Sequence, residues 1–115
     1  MKRLRYFPSL LVLFGTIGVT SATAAVTKNV VIVNNTPYTV NEFYASGSDS
    51  SSWDTSNNLL SGQTVAPGQQ TTVNITDGND ECHYDLMAVL YGAAQHAYQY
   101  EVNACDAGGS WTINQ

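Results

Sequence analysis

From Asn29 to the C-terminus the chain breaks into short runs rich in Val, Ile, Thr and Tyr, separated by clusters of Gly, Asn, Asp, Ser and Pro. No stretch keeps its apolar residues at a 3.6-residue spacing, so helices of ordinary length have nowhere to form, whereas short strands fit between the turn clusters. The runs are Asn29 to Val33, Tyr38 to Ala45, a short element between Leu59-Leu60 and Thr64-Val65, Thr71 to Thr76, Cys82 to Tyr91, His96 to Cys105, and a last one around Trp111 and Ile113. Alternation puts Val73 with Ile75, and Trp111 with Ile113, on one face of their strands. Ala66-Pro67-Gly68-Gln69 is a type II turn sequence, with Pro fixing φ and Gly accepting a positive one. About seven short strands with frequent turns describe an all-β chain, an antiparallel β-sandwich of immunoglobulin-like design.

The first residues set the compartment. Lys2, Arg3 and Arg5 precede an apolar run from Leu10 to Val19, which Ala22-Thr23-Ala24 closes with small side chains. That is the anatomy of a secretory signal; a spanning helix would need roughly 20 apolar residues. Residues 1–24 are therefore expected to be removed, leaving 25–115 as a single domain, secreted or periplasmic and without a membrane anchor. With Lys2, Arg3 and Arg5 gone, Lys28 alone faces nine carboxylates, and the net charge moves from −5 to −8. One lysine cannot neutralise a phosphate backbone, so nucleic acid is not an expected partner. An anionic membrane surface is disfavoured for the same reason. What the charge permits is solubility, cation binding or steering toward a basic protein.

An even cysteine count in an exported chain points to a Cys82–Cys105 disulfide. Closing that loop stabilises by about 3 kcal/mol in the chain-entropy model. The two flanking runs form a hairpin turning at Gly92-Ala93-Ala94-Gln95, and its register has two versions. In one, Cys82 faces Cys105 but Asp85 shares a face with Met87 and Tyr100. In the other, Leu86 faces Val102, Ala88 faces Tyr100 and Leu90 faces Tyr98, which requires a bulge near the cysteines.

Candidate functional residues are few. Asp77, Asn79, Asp80, Glu81 and Asp85 form the densest set of oxygen ligands and suit calcium, although the EF-hand pattern is absent. The same residues also suit a plain solvated turn. His83 and Asp85 lie two apart on one strand face, the one pair with a hydrolytic possibility. No nucleophile elbow, zinc-protease motif or phosphate loop is present, so no catalytic residue and no other cofactor is assigned. Trp53 in a serine-rich loop, with Tyr91 and Tyr98 beside the hairpin tip, could stack on sugars or anchor a protein contact. The plainer expectation is that Trp53 folds back over the core while Trp111 fills it.

Asn34-Asn35-Thr36, Ser51-Ser52-Trp53 leading to Asn58-Leu59-Leu60, Ala66-Pro67-Gly68-Gln69, Cys82-His83-Tyr84-Asp85-Leu86 and Asn103-Ala104-Cys105 resemble, in matching order, one family. It is a family of small exported bacterial proteins of uncharacterised function, often labelled argininosuccinate lyase or twin-arginine (Tat) pathway signal protein. The resemblance implies a signal-bearing β-sandwich with one disulfide and supplies no activity. The lyase label does not fit, since that enzyme is a large helical tetramer, and the paired arginines of a twin-arginine signal are missing here. The hairpin tip also departs from its relatives, which tend to have Asp-Gly there. The function expected from all this is a non-enzymatic interaction module with an acidic surface, such as a periplasmic inhibitor or immunity-like protein. The alternative is a calcium- or carbohydrate-binding sandwich.

Overall fold

Every second residue of the first strand turns inward, and this strand organises the rest. The computed structural model describes residues 27–78, 80–105 and 108–115, and within it β1 spans Lys28–Asn35. The export signal expected at residues 1–24 lies outside the described residues. On the inner face of β1, Val30 and Ile32 are fully buried, with Lys28 buried at one end and Asn34 at the other. The strand thus carries an apolar middle and a polar plug at each end.

Five further strands follow: β2 (Thr39–Gly47), β3 (Gln70–Ile75), β4 (His83–Tyr91), β5 (Ala97–Asn103) and β6 (Gly109–Asn114). They form two three-stranded sheets, ordered β3-β1-β6 and β2-β4-β5. The expected all-β, two-sheet architecture with one disulfide is present, and no described residue is helical. Two details of the strand set differ from expectation, and the register of one hairpin differs as well. The element foreseen between Leu59 and Val65 is a series of turns, touching the sheet through a bridge from Val65 to Val40. One strand pair is parallel: β6 runs alongside β1 in the same direction, Val30 opposite Gly109 and Asn34 opposite Ile113. The chain reaches this arrangement by entering β6 from the opposite sheet, a crossover rather than a hairpin.

Between the sheets, Phe43 meets Trp111 with ring centroids 6.1 Å apart. Val73, Ile75, Trp111 and Ile113 are buried as alternation requires. The turn at Ala66–Gln69 closes as expected, with Gln69 N–H donating to the Ala66 carbonyl at 3.0 Å and Gly68 at φ 80°.

The β4–β5 hairpin has neither expected register. Tyr84 faces Val102, and beyond an irregularity Leu86 faces Gln99 and Ala88 faces Ala97. The cause is the turn: Gly92 adopts φ 91°, and Ala93 N–H donates to the Leu90 carbonyl at 3.1 Å, so the chain reverses earlier than a turn centred on Ala93-Ala94 would. The difficulty over Asp85 is met by a bulge. Tyr100 and Glu101 together oppose Asp85, and the Glu101 N–H (φ 56°) donates to Asp85 Oδ1 at 3.0 Å. A positive φ at a non-glycine residue costs about 1–2 kcal/mol, which this charge-assisted hydrogen bond offsets.

The end of β5 presses on the start of β6. A Cβ built on Gly109 would lie 2.8 Å from both the Asn103 carbonyl oxygen and Val102 Cγ1. The carbonyl belongs to a paired strand and cannot retreat freely. Gly109→Ala should therefore lower stability by about 1–3 kcal/mol, read as a reduced urea midpoint with an unchanged slope.

Candidate functional site

The outer face of the β2-β4-β5 sheet is built by simple alternation. Phe43, Ala45, Leu86 and Ala88 face the core, so Tyr44 and Met87 point the other way, yet they are only 6% and 5% exposed. Tyr44 is paired with Met87, and Met87 with Tyr98, which makes one row across three strands. Tyr44 Oη donates to Glu42 Oε1 at 2.5 Å. That bond, and then burial, raise the Tyr44 phenol above its ordinary pKa.

Along β5 a second row crosses the first. Tyr98 and Tyr100 alternate onto this face and His96, just before the strand, continues the row, with His96 and Tyr98 ring centroids 6.4 Å apart and Tyr98 and Tyr100 6.1 Å apart. The two tyrosine planes differ by 3°. Parallel rings at this separation fall within the usual range for offset aromatic pairs. Trp53, half-buried in the loop between β2 and β3, meets Tyr98 at 5.9 Å. Trp53 is thus on the outside of the sheet and Trp111 alone of the two tryptophans joins the core, a correction to the expectation that Trp53 caps it. Tyr98 is 43% exposed and Tyr100 59%.

Trp53 and Tyr98 are therefore brought together, and His96 and Tyr100, which sequence reasoning passed over, join them. Their signal was available, because spacings of two and four on any strand put three rings on one face whatever the register. Tyr91 is 74% exposed at the end of β4, opposite Thr39.

The acidic residues are used separately. Asp77 turns toward the sandwich end, where its Oδ1 lies 2.6 Å from Lys28 Nζ. Lys28 Nζ also donates to Tyr84 Oη at 2.5 Å, and Tyr84 Oη donates to Asp77 Oδ2. The ammonium sits 4.9 Å from the centroid of the Tyr84 ring. Burial works against the charge on Lys28, but the hydrogen bonds with Asp77 and Tyr84 outweigh it, and the lysine pKa is raised. Burial, helped by Asp77, also raises the Tyr84 phenol. Asp85 Oδ1 accepts from Ser48 Oγ at 3.0 Å as well as from Glu101 N–H. Glu81 Oε2 accepts from His83 N–H at 3.3 Å, Asp80 is exposed, and Asn79 lies outside the described residues. Among the described residues no group of three or more His, Cys, Asp or Glu side chains is close enough to hold a metal ion.

Cys82 and Cys105 form the expected disulfide, Cα to Cα 5.3 Å, beside a hydrogen bond from Ala104 N–H to the Cys82 carbonyl at 2.8 Å. It joins the open end of the hairpin and marks a non-cytoplasmic protein. No described helix is long and apolar enough to cross a membrane.

Charge is divided between the two sheets. β1, β3 and β6 contain no carboxylate, and their one cation, Lys28, is buried. Glu42, Asp85 and Glu101 lie in the sheet that bears the tyrosine row. Asp49 and Asp54 occupy the same loop as Trp53. Comparison with known proteins finds no matching family model, no matching curated protein and no matching solved structure.

Proposed function

We propose that this chain is an exported, non-enzymatic binding module that meets a basic protein partner, in the secreted or periplasmic space, through the aromatic and acidic face of the β2-β4-β5 sheet. The observation that carries this reading is the coincidence of exposed Tyr98 and Tyr100 with carboxylates on one side of the molecule, the other sheet being free of acids. Tyrosine and tryptophan contribute most to protein interfaces, arginine and lysine bind over aromatic rings, and surrounding carboxylates accelerate encounter with a cationic surface. An inhibitor or immunity-like role fits such a surface.

The mature, oxidised protein, immobilised at low salt, should retain a basic protein from an extract of its own compartment and release it as ionic strength rises. The paired variant Tyr98→Ala/Tyr100→Ala should weaken retention by about 30-fold, the equivalent of about 2 kcal/mol for truncated anchor residues, with the melting temperature little changed. Equal retention by the variant, or binding indifferent to salt, would count against the reading.

A further inference from the structure

The outer edges of β3 and β6 both present backbone groups that no strand pairs among the described residues, and neither strand contains a charge, a proline or a bulge. What sets β3 apart is a second wall. A groove of about 410 Å³ runs alongside it, and the far side is the chain's own segment from Asn57 to Gln63. That wall is held from the β2 side. Leu59 N–H donates to the Phe43 carbonyl at 2.8 Å, and Asn58 Oδ1 accepts from the Phe43 and Leu60 N–H groups at 3.0 and 3.1 Å. Buried Leu60 and Val73 give the groove an apolar floor, and Asn57, Gln63, Thr72 and Asn74 line it with neutral amides and a hydroxyl.

At the C-terminal end of β3 the groove continues into a smaller hollow of about 90 Å³, which shares Asn57, Leu59 and Thr76 with it and reaches Asp54 and Asp77. Asp77 is paired with Lys28, so exposed Asp54 leaves this end of the groove net negative.

We propose that the groove takes a single extended peptide of another protein, added antiparallel to β3 with a positively charged N-terminal end at Asp54. The strand edge selects the class of ligand. β3 offers main-chain donors and acceptors at the period of a ladder, which another extended backbone matches and a compact molecule does not. Its six residues, at about 3.3 Å each, give an edge of about 20 Å. The wall limits the addition to one strand, because residues 57–63 already fill the place where a next strand would lie. Charge selects the direction. An antiparallel peptide begins where β3 ends, so its α-ammonium, or a lysine beside it, arrives at Asp54, whereas a parallel one would bring its terminal carboxylate there. Peptide residues opposite Val73 and Ile75 share their inward face, which favours apolar side chains at every second position. The site is separate from the tyrosine face and does not depend on it.

Titration of the oxidised mature chain with the amidated peptide Lys-Val-Thr-Val-Thr-Val should saturate, and hydrogen exchange should show protection of amides within Thr71 to Ile75. Asn57→Trp, which fills the groove from an exposed position, should weaken binding by about 10-fold or more. Asp54→Asn should weaken it by about 3-fold to 5-fold, as loss of an exposed charge pair does. Acetylated and amidated Val-Thr-Val-Thr-Val-Lys, with its charge at the other end, should bind about 10-fold more weakly. Tyr98→Ala/Tyr100→Ala should bind the peptide as the wild type does, so that failure here is distinguishable from failure at the tyrosine face. Absence of saturation, protection of β6 amides in place of those of β3, equal binding by Asn57→Trp, or indifference to the position of the lysine would each overturn the proposal. So would β3 amides that gain protection with protein concentration alone, the mark of a second copy in the groove.

Discussion

Asp77→Ala should destabilise this protein far more than Lys28→Met, although the two substitutions break the same ion pair. The lysine is 1% exposed and the aspartate 33%. Removing the aspartate strips a buried ammonium of this counter-charge, a change that costs about 3–5 kcal/mol. Removing the lysine leaves a carboxylate already one-third in water, with the Tyr84 hydroxyl donating to it, while methionine refills the apolar volume. Replacing a buried charge by a well-packed apolar side chain is often close to neutral. For a domain of this size each kcal/mol moves the melting temperature by about 4–8 °C. Asp77→Ala should therefore melt at least about 12 °C lower and Lys28→Met within a few degrees of wild type. Equal losses would mean that burial of the lysine is not the governing term.

The same site sets an alkaline limit. Lys28 has a folded pKa above its ordinary 10.5 and Tyr84 one above its ordinary 10.0, so in both cases the folded state holds the proton more tightly than the unfolded chain. Their contribution is complete below pH 10 and is lost as pH rises through the raised folded values. Stability measured by urea should be level from neutral pH to about 10 and fall beyond it. In Lys28→Met the lysine part of that fall should disappear.

The second large effect concerns the disulfide. Replacing Cys82 and Cys105 together by serine, or reducing the wild type, should cost about 3 kcal/mol, within the usual range of about 2–5 for a small exported domain. The bridge closes a span of 23 residues whose open end contains the Asp85 and Glu101 bulge, a place where the ladder is interrupted. Without it, the ends of β4 and β5 should fray before the turn at Gly92 does. Hydrogen exchange would show this as faster exchange at Tyr84 and Val102 than at Ala88. Uniform exchange along the hairpin would contradict it.

Periodicity made most of the fold legible. Val73 with Ile75, and Trp111 with Ile113, turned inward because side chains alternate on any strand, and the Ala66–Gln69 turn followed from the backbone preferences of Pro67 and Gly68. The disulfide followed from the oxidising compartment that the N-terminal segment implies. The hairpin register was harder. It depends on which residue of the tip accepts a positive φ and on a bulge at Glu101, and glutamate gives no local sign of adopting that conformation. The tyrosine row was half legible. Trp53 and Tyr98 were both named and His96 and Tyr100 were not, and the contact of Trp53 with Tyr98 depends on a loop whose path no pattern specifies.

Lys28 and Asn34 mark the boundary most clearly. By composition one is a surface-type cation and the other a turn residue, yet both are buried at the ends of the inner face of β1. The Asn34 side chain donates to the Tyr38 and Val65 carbonyls at 2.7 and 2.9 Å and accepts from the Thr36 hydroxyl at 2.7 Å. The sequence by itself determined the strands, their inward faces, the bridge and the overall charge, because these rest on local preference and on compartment. Tertiary structure decided which polar groups could be buried, where the acids gathered and which edges stayed open. A polar group is tolerated in a core only when distant residues arrive to satisfy it, and the positions of those residues are fixed by the packing of two sheets rather than by any neighbouring stretch of chain.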